Sequence, residues 1–196
     1  MGSNEMKNTG ERIVTEEKRK SMTVSQILLV AILIAAGVIM KLFIGSLFSA
    51  GMKPNFAIAM YCLAILLVRP NIKEAVIIGL LTGVVSQFFL PGAPYLNLVS
   101  EPIGAAVMAI LVNMKHRLGG PLMPAVTTFI TTVVSGSIFA LLIYALFFTG
   151  GSSTAPAPFA VFLGIIFGTA AVNCVIVQIL YIPIAHVLKV NVKDSK

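Results

Sequence analysis

Six apolar stretches, separated by short clusters of Gly, Pro, Ser, Asn and basic residues, make up nearly all of the chain beyond residue 22. They cover about 24–47, 55–68, 74–90, 96–114, 122–148 and 159–188. None alternates apolar and polar positions with a period of two, so they read as helices and not as strands of a membrane barrel. The punctuation is strong. Ser49-Ala50-Gly51 and Lys53-Pro54 close the first run, Arg69-Pro70-Asn71 the second, and Pro91-Gly92-Ala93-Pro94 the third. Lys115-His116-Arg117 with Gly119-Gly120-Pro121 closes the fourth, and a Gly, Ser and Pro-rich loop over 150–158 separates the last two. Thr23 or Ser25 is placed to cap the first helix. The second run is short for a full span, which takes roughly 20 residues. No internal repeat of the kind found in inverted-topology transporters is visible.

Composition turns these helices into membrane spans. The 196 residues are 58% hydrophobic and 11% charged, with a mean hydropathy of +0.98. A soluble domain is about 25% charged, and a disordered chain is polar and highly charged. The expected fold is therefore an all-α membrane protein of six transmembrane helices. A polar N-terminal tail (1–22) precedes a membrane domain (23–190) and a C-terminal tail (191–196) follows it. The N-terminal tail lacks the short apolar region and small-residue cleavage site of a signal peptide.

The net charge of +7 is distributed by position. Lys7, Arg12, Lys18, Arg19 and Lys20 lie in the tail; Arg69 and Lys73, Lys115 and Arg117, and Lys189, Lys193 and Lys196 mark alternate loops and the C-terminus. Basic residues gather on the cytoplasmic side, so both termini are expected there. Nothing here forms the continuous basic stripe of a nucleic-acid protein. Cys62 and Cys174 sit within apolar runs and read as buried hydrophobes.

Against that pattern a few polar residues are out of place. Glu101 is the only carboxylate between Glu74 and Asp194. An acid near a helix start followed by Pro102 suits the helix dipole; an ionisable group in a span also tends to line a cavity. The two readings are compatible. Lys53 is a matching cation on the side with almost no other bases, whereas Lys41, near the end of the first helix, is expected to snorkel to the interface. Together Lys53 and Glu101 would suit a zwitterion. Hydroxyls such as Thr82, Ser86, Thr131, Thr132 and Ser135 usually bond their own backbone or a neighbouring helix. The amides Gln87, Asn97 and Asn173 are harder to satisfy locally and make better pocket candidates. Small pairs at Ala31/Ala35, Gly79/Gly83 and Gly164/Gly168 permit close helix approach.

The absences narrow the chemistry. There is no GxxxxGK[ST] phosphate loop, no HExxH, no cluster of metal-ligating residues and no Ser-with-His arrangement. An enzyme is not expected, and neither is a cofactor.

With these residues in view, the chain resembles the substrate-binding S component of energy-coupling factor (ECF) transporters. The first helix carries the alanine-xxx-alanine pattern of that family at Ala31 and Ala35. Gly51-Met52-Lys53-Pro54-Asn55, Leu81-Thr82-Gly83-Val84-Val85-Ser86, Asn97 with Glu101-Pro102, Ser135-Gly136, and Asn173 with Tyr181-Ile182-Pro183 are similar to the tryptophan-specific branch. That branch often has aspartate where this chain has Asn55 and Glu101, so one negative charge is absent here.

The resemblance implies a high-affinity substrate-binding subunit in a prokaryotic plasma membrane. It would dock through Ala31 and Ala35 on a transmembrane coupling subunit driven by two cytoplasmic ATPase subunits. It further implies a site in which Lys53 meets the tryptophan carboxylate and Glu101 its ammonium. Asn97 or Asn173 would accept the indole N–H, and Phe56, Phe88 and Tyr95 would form the slot. Asn55, Gln87 and Ser135 complete the expected site. The competing readings are an S component for another small metabolite, such as a vitamin, or a membrane assembly subunit without a ligand.

Overall fold

The computed structural model describes residues 21–43, 54–89, 94–114, 120–150, 156 and 158–188. Its helices are α1 (Val24–Phe43), α2 (Ala57–Val68), α3 (Ile72–Phe89), α4 (Asn97–Asn113), α5 (Met123–Phe148) and α6 (Phe159–Val187), with a short 3-10 turn, Pro94–Leu96, leading into α4. No strand occurs among the described residues. Each expected apolar run has become one helix.

Local signals set the ends. The Thr23 backbone N–H donates to Gln26 Oε1 at 2.9 Å, half of a capping box at the start of α1. At α3 the box is complete: Glu74 N–H donates to Asn71 Oδ1 at 2.9 Å, and Asn71 N–H donates to Glu74 Oε2 at 3.0 Å. Glu74 Oε1 also accepts the Met22 N–H at 3.2 Å, fixing the start of α1 beside the start of α3. Gln178 of α6 serves the entry to α5. Its Nε2 donates to the Pro121 carbonyl at 2.9 Å and its Oε1 accepts the Ala125 N–H at 3.2 Å.

The short second helix is the centre of the bundle. Every residue from Ala57 to Leu67 is buried, and the helix touches all five others. A helix apolar on all sides is one enclosed on all sides. At 1.5 Å per residue its 12 residues span about 18 Å, well under the roughly 30 Å of a bilayer core. Protein encloses it from Ala57 to Leu67.

Around it, α1, α5 and α6 are each long and apolar enough to cross a membrane. Their outward positions, among them Ile27, Leu28, Ile32, Leu141, Val175 and Ile179, are apolar and exposed. Threonine, serine, asparagine, glutamate and lysine side chains are buried inside. Apolar outside and polar inside is the arrangement lipid demands. The chain is an all-α membrane protein.

Of the three small-residue pairs, one closes a helix interface. A methyl group on Gly79 would stand 2.6 Å from the Glu101 carbonyl oxygen, and one on Gly83 would stand 2.8 Å from the Asn97 carbonyl oxygen. So α3 and α4 lie backbone against backbone, alongside Pro102 within α4. Gly164 and Gly168 face open space on α6, and Ala31 and Ala35 lie on the exposed face of α1. Cys62 is buried and Cys174 half-buried, both free.

Candidate functional site

Glu101 lies in the second turn of α4 and is fully buried. Gly79 brings α3 onto its backbone from one side, and α5 reaches it from another, where Ser135 Oγ donates to the Ser100 carbonyl at 3.2 Å. Asn55, just before α2, donates from Nδ2 to Glu101 Oε1. Asn173 of α6 donates from Nδ2 to the Asn55 backbone carbonyl at 3.1 Å and to Thr132 Oγ1 at 3.3 Å. Thr132 in turn donates to the Thr128 carbonyl at 2.9 Å. Four helices and the lead-in to α2 thus converge on one polar group.

The amide orientations are dictated by chemistry. An amide nitrogen, not an oxygen, must face a carboxylate or a carbonyl, so both asparagines turn Oδ1 away from these partners. As a result Asn55 Oδ1, Asn173 Oδ1 and Glu101 Oε2 are buried with no hydrogen-bond partner. The Tyr61 hydroxyl, beside Glu101 and Ser135, likewise closes no hydrogen bond. Each buried unpartnered polar atom costs about 1–3 kcal/mol. The network therefore holds several acceptors that a donor-rich, cationic group would satisfy. Among the described residues no cluster of His, Cys, Asp or Glu is fit for a metal ion.

The structure brings together Glu101, Asn55, Asn173 and Ser135 from the expected site. Asn97 and Gln87 are half-buried, at the start of α4 and near the end of α3, and Tyr95 is 76% exposed on the 3-10 turn. Phe56 is buried directly before α2. Lys53 and the Phe88 side chain lie outside the described residues.

The polar group lies near the middle of α5 and α6, at Ser135 and Asn173. It lies at that depth because α2 and α4 are short and begin inside the bundle. Against expectation, Lys41 does not snorkel but is buried at 5% exposure. It completes the inward face Val30, Leu33, Ile34, Gly37, Val38 and Lys41.

Lys41, Tyr61 and Thr132 are the members that sequence reasoning missed. Tyr61 carried a signal, being the one aromatic hydroxyl in the apolar run of α2. Thr82 and Thr127 donate to carbonyls one turn back, Ile78 at 2.9 Å and Met123 at 2.8 Å, whereas the buried Ser86 and Thr128 hydroxyls depart from that pattern and close no hydrogen bond.

Comparison with known proteins bears on the same residues. No solved structure matches the chain. A probable tryptophan transport protein of Clostridium acetobutylicum is 25% identical over 177 residues, covering 86% of this chain and 96% of that one. A probable tryptophan transport protein of Bacillus subtilis is 30% identical over 149 residues, covering 72% of this chain and 80% of the relative. The family described as tryptophan transporter TrpP matches residues 23–189, which take in every described helix and the whole polar group around Glu101. The chain belongs to the tryptophan transporter TrpP family.

Proposed function

We propose that this chain is the substrate-binding S component of an ECF-type importer and that the group around Glu101 binds L-tryptophan. The observation that carries the reading is the set of unpartnered acceptors, Glu101 Oε2, Asn55 Oδ1 and Asn173 Oδ1, in one buried network. An α-ammonium offers three N–H donors and a positive charge. Bound there, it neutralises Glu101 and satisfies these oxygens. Lys53 is the proposed cation at the entrance, and Phe56, Phe88 and Tyr95 are proposed for the indole.

In this reading all six helices span the plasma membrane of a prokaryote, with both termini cytoplasmic. The alternation of basic loops supports that orientation. The site is reached from the outer side, where α1 and α3 end and α2 and α4 begin. Ala31 and Ala35, exposed on α1, dock on a transmembrane coupling subunit, and two cytoplasmic ATPase subunits drive release.

Uptake tests the whole reading. Cells supplying the coupling and ATPase subunits should accumulate labelled L-tryptophan only when this chain is present. Ala31→Trp combined with Ala35→Trp should abolish uptake and co-purification while leaving tryptophan binding intact. Uptake that persists without the ATPase subunits would refute the ECF assignment, and no uptake of tryptophan in the complete system would refute the substrate.

A further inference from the structure

Lys41 is a buried charge for which the function above has no use. A lysine this close to a helix end ordinarily extends to water; leaving it in the protein costs desolvation that only a compensating partner offsets. Its position follows from the packing of α1. The start of α1 is tied to the start of α3 through Met22 and Glu74, and α3 follows the end of α2, so α1 and α2 run antiparallel. Gly37 closes against α2, where an added methyl would lie 2.9 Å from Met60 Cβ and 3.0 Å from Ala57 Cα. One turn further, about 6 Å along the axis, Lys41 comes level with the segment that holds Asn55.

Asn55 is the residue that donates to Glu101. The lysine and the glutamate are therefore at the same end of the same site. No ion pair joins Lys41 to the carboxylate: the hydrogen bond to Glu101 Oε1 comes from Asn55, and Oε2 is without a partner. A buried cation and a buried anion held near one another but unjoined form a site for a molecule that carries both charges on neighbouring atoms.

We propose that Lys41 is the specificity-determining cation of this site, receiving the substrate carboxylate while Glu101 receives the ammonium. The inference rests on the reading that tryptophan binds around Glu101. A zwitterion gives each protein charge a complement. An analogue with one charge leaves the other protein charge buried and unmatched, which is strongly disfavoured.

Calorimetric titration of the detergent-purified full chain tests this, with L-tryptophan, tryptamine (no carboxylate) and indole-3-propionate (no ammonium) as ligands. Wild type should prefer L-tryptophan over either analogue by about 100-fold or more. Lys41→Met should weaken L-tryptophan by about as much and leave tryptamine unchanged or tighter, so that the preference over tryptamine collapses. A purely structural lysine would weaken both ligands in parallel, and that result overturns the proposal. So does a collapse seen with Lys53→Met but not with Lys41→Met. Tryptamine binding to wild type as tightly as L-tryptophan also overturns the assignment, whether or not Lys41→Met folds. Failure of wild type to bind L-tryptophan sinks the functional reading itself, whereas normal binding with an unaltered preference in Lys41→Met sinks only the role of Lys41.

Discussion

A single methyl group at Gly79 should disturb both the fold and the site. In Gly79→Ala the new Cβ would lie 2.6 Å from the Glu101 carbonyl oxygen, 2.7 Å from Pro102 Cα and 2.8 Å from Ala105 Cβ. Ordinary contact begins near 3.4 Å, so α4 must retreat from α3 by about 0.8 Å. Two of those neighbours are backbone atoms, which cannot rotate away. Overpacking of this kind costs about 1–3 kcal/mol, against which alanine returns about 0.5–1 kcal/mol of helix propensity over glycine. The net loss is about 1–2 kcal/mol, or a fall in Tm of roughly 2–8 °C for a chain of this size.

Gly164→Ala is the matched control. It is also a glycine within a helix and within a small-residue pair, but nothing lies within 4 Å of its added methyl, so Tm should hold or rise slightly. The assay can use the chain's own chemistry. In a Cys174→Ser background, a thiol-reactive dye reports unfolding through Cys62, which is fully buried. A Tm for Gly79→Ala equal to that of Gly164→Ala would refute the close α3–α4 packing and the position of Glu101 that depends on it.

Other outcomes follow from the same contacts. Asn173→Ala removes the donor to Asn55 and Thr132; stability should fall by about 1–3 kcal/mol in the dye assay, and L-tryptophan affinity should fall with it. Glu74→Ala breaks the α3 capping box and the tie to Met22, costing about 1 kcal/mol while leaving affinity unchanged, because its partners Asn71 and Met22 lie outside the polar group around Glu101. Ser135→Ala releases the Ser100 carbonyl and should cost about 1 kcal/mol, read as a lower Tm with a modest loss of binding.

Much of the fold was legible because lipid imposes simple rules. The breaker Arg69-Pro70-Asn71 ends one helix where the structure has it, although the capping pair Asn71/Glu74 that starts the next emerged only from the structure. Glu101 stood out as a lone carboxylate in an apolar chain, and Asn173 as an amide with no local partner; the structure joins both to Asn55 in one buried group.

What escaped was anything that needed a helix's rotation or depth. In a soluble helix the polar face marks the outside, but α1 is apolar on both faces, so nothing in the sequence turned Lys41 inward. Depth was hidden because α2 and α4 begin within the bundle, carrying Asn55 and Glu101 to the level of Ser135 and Asn173. The pairs Gly79/Gly83 and Gly164/Gly168 have identical spacing and opposite surroundings. Only the neighbouring helix distinguishes them.

The measurement closest to the central claim exploits a property of the sequence: the chain has no tryptophan and four tyrosines. Excited at the red edge, where tyrosine does not absorb, added L-tryptophan is the only emitter, and its spectrum reports transfer from water into the protein. Titrated into wild type and Glu101→Gln, it should show saturable binding that prefers the L over the D isomer. The neutral isostere should weaken that binding on the order of 100-fold with the fold retained. Binding to Glu101→Gln as tight as to wild type would contradict the account.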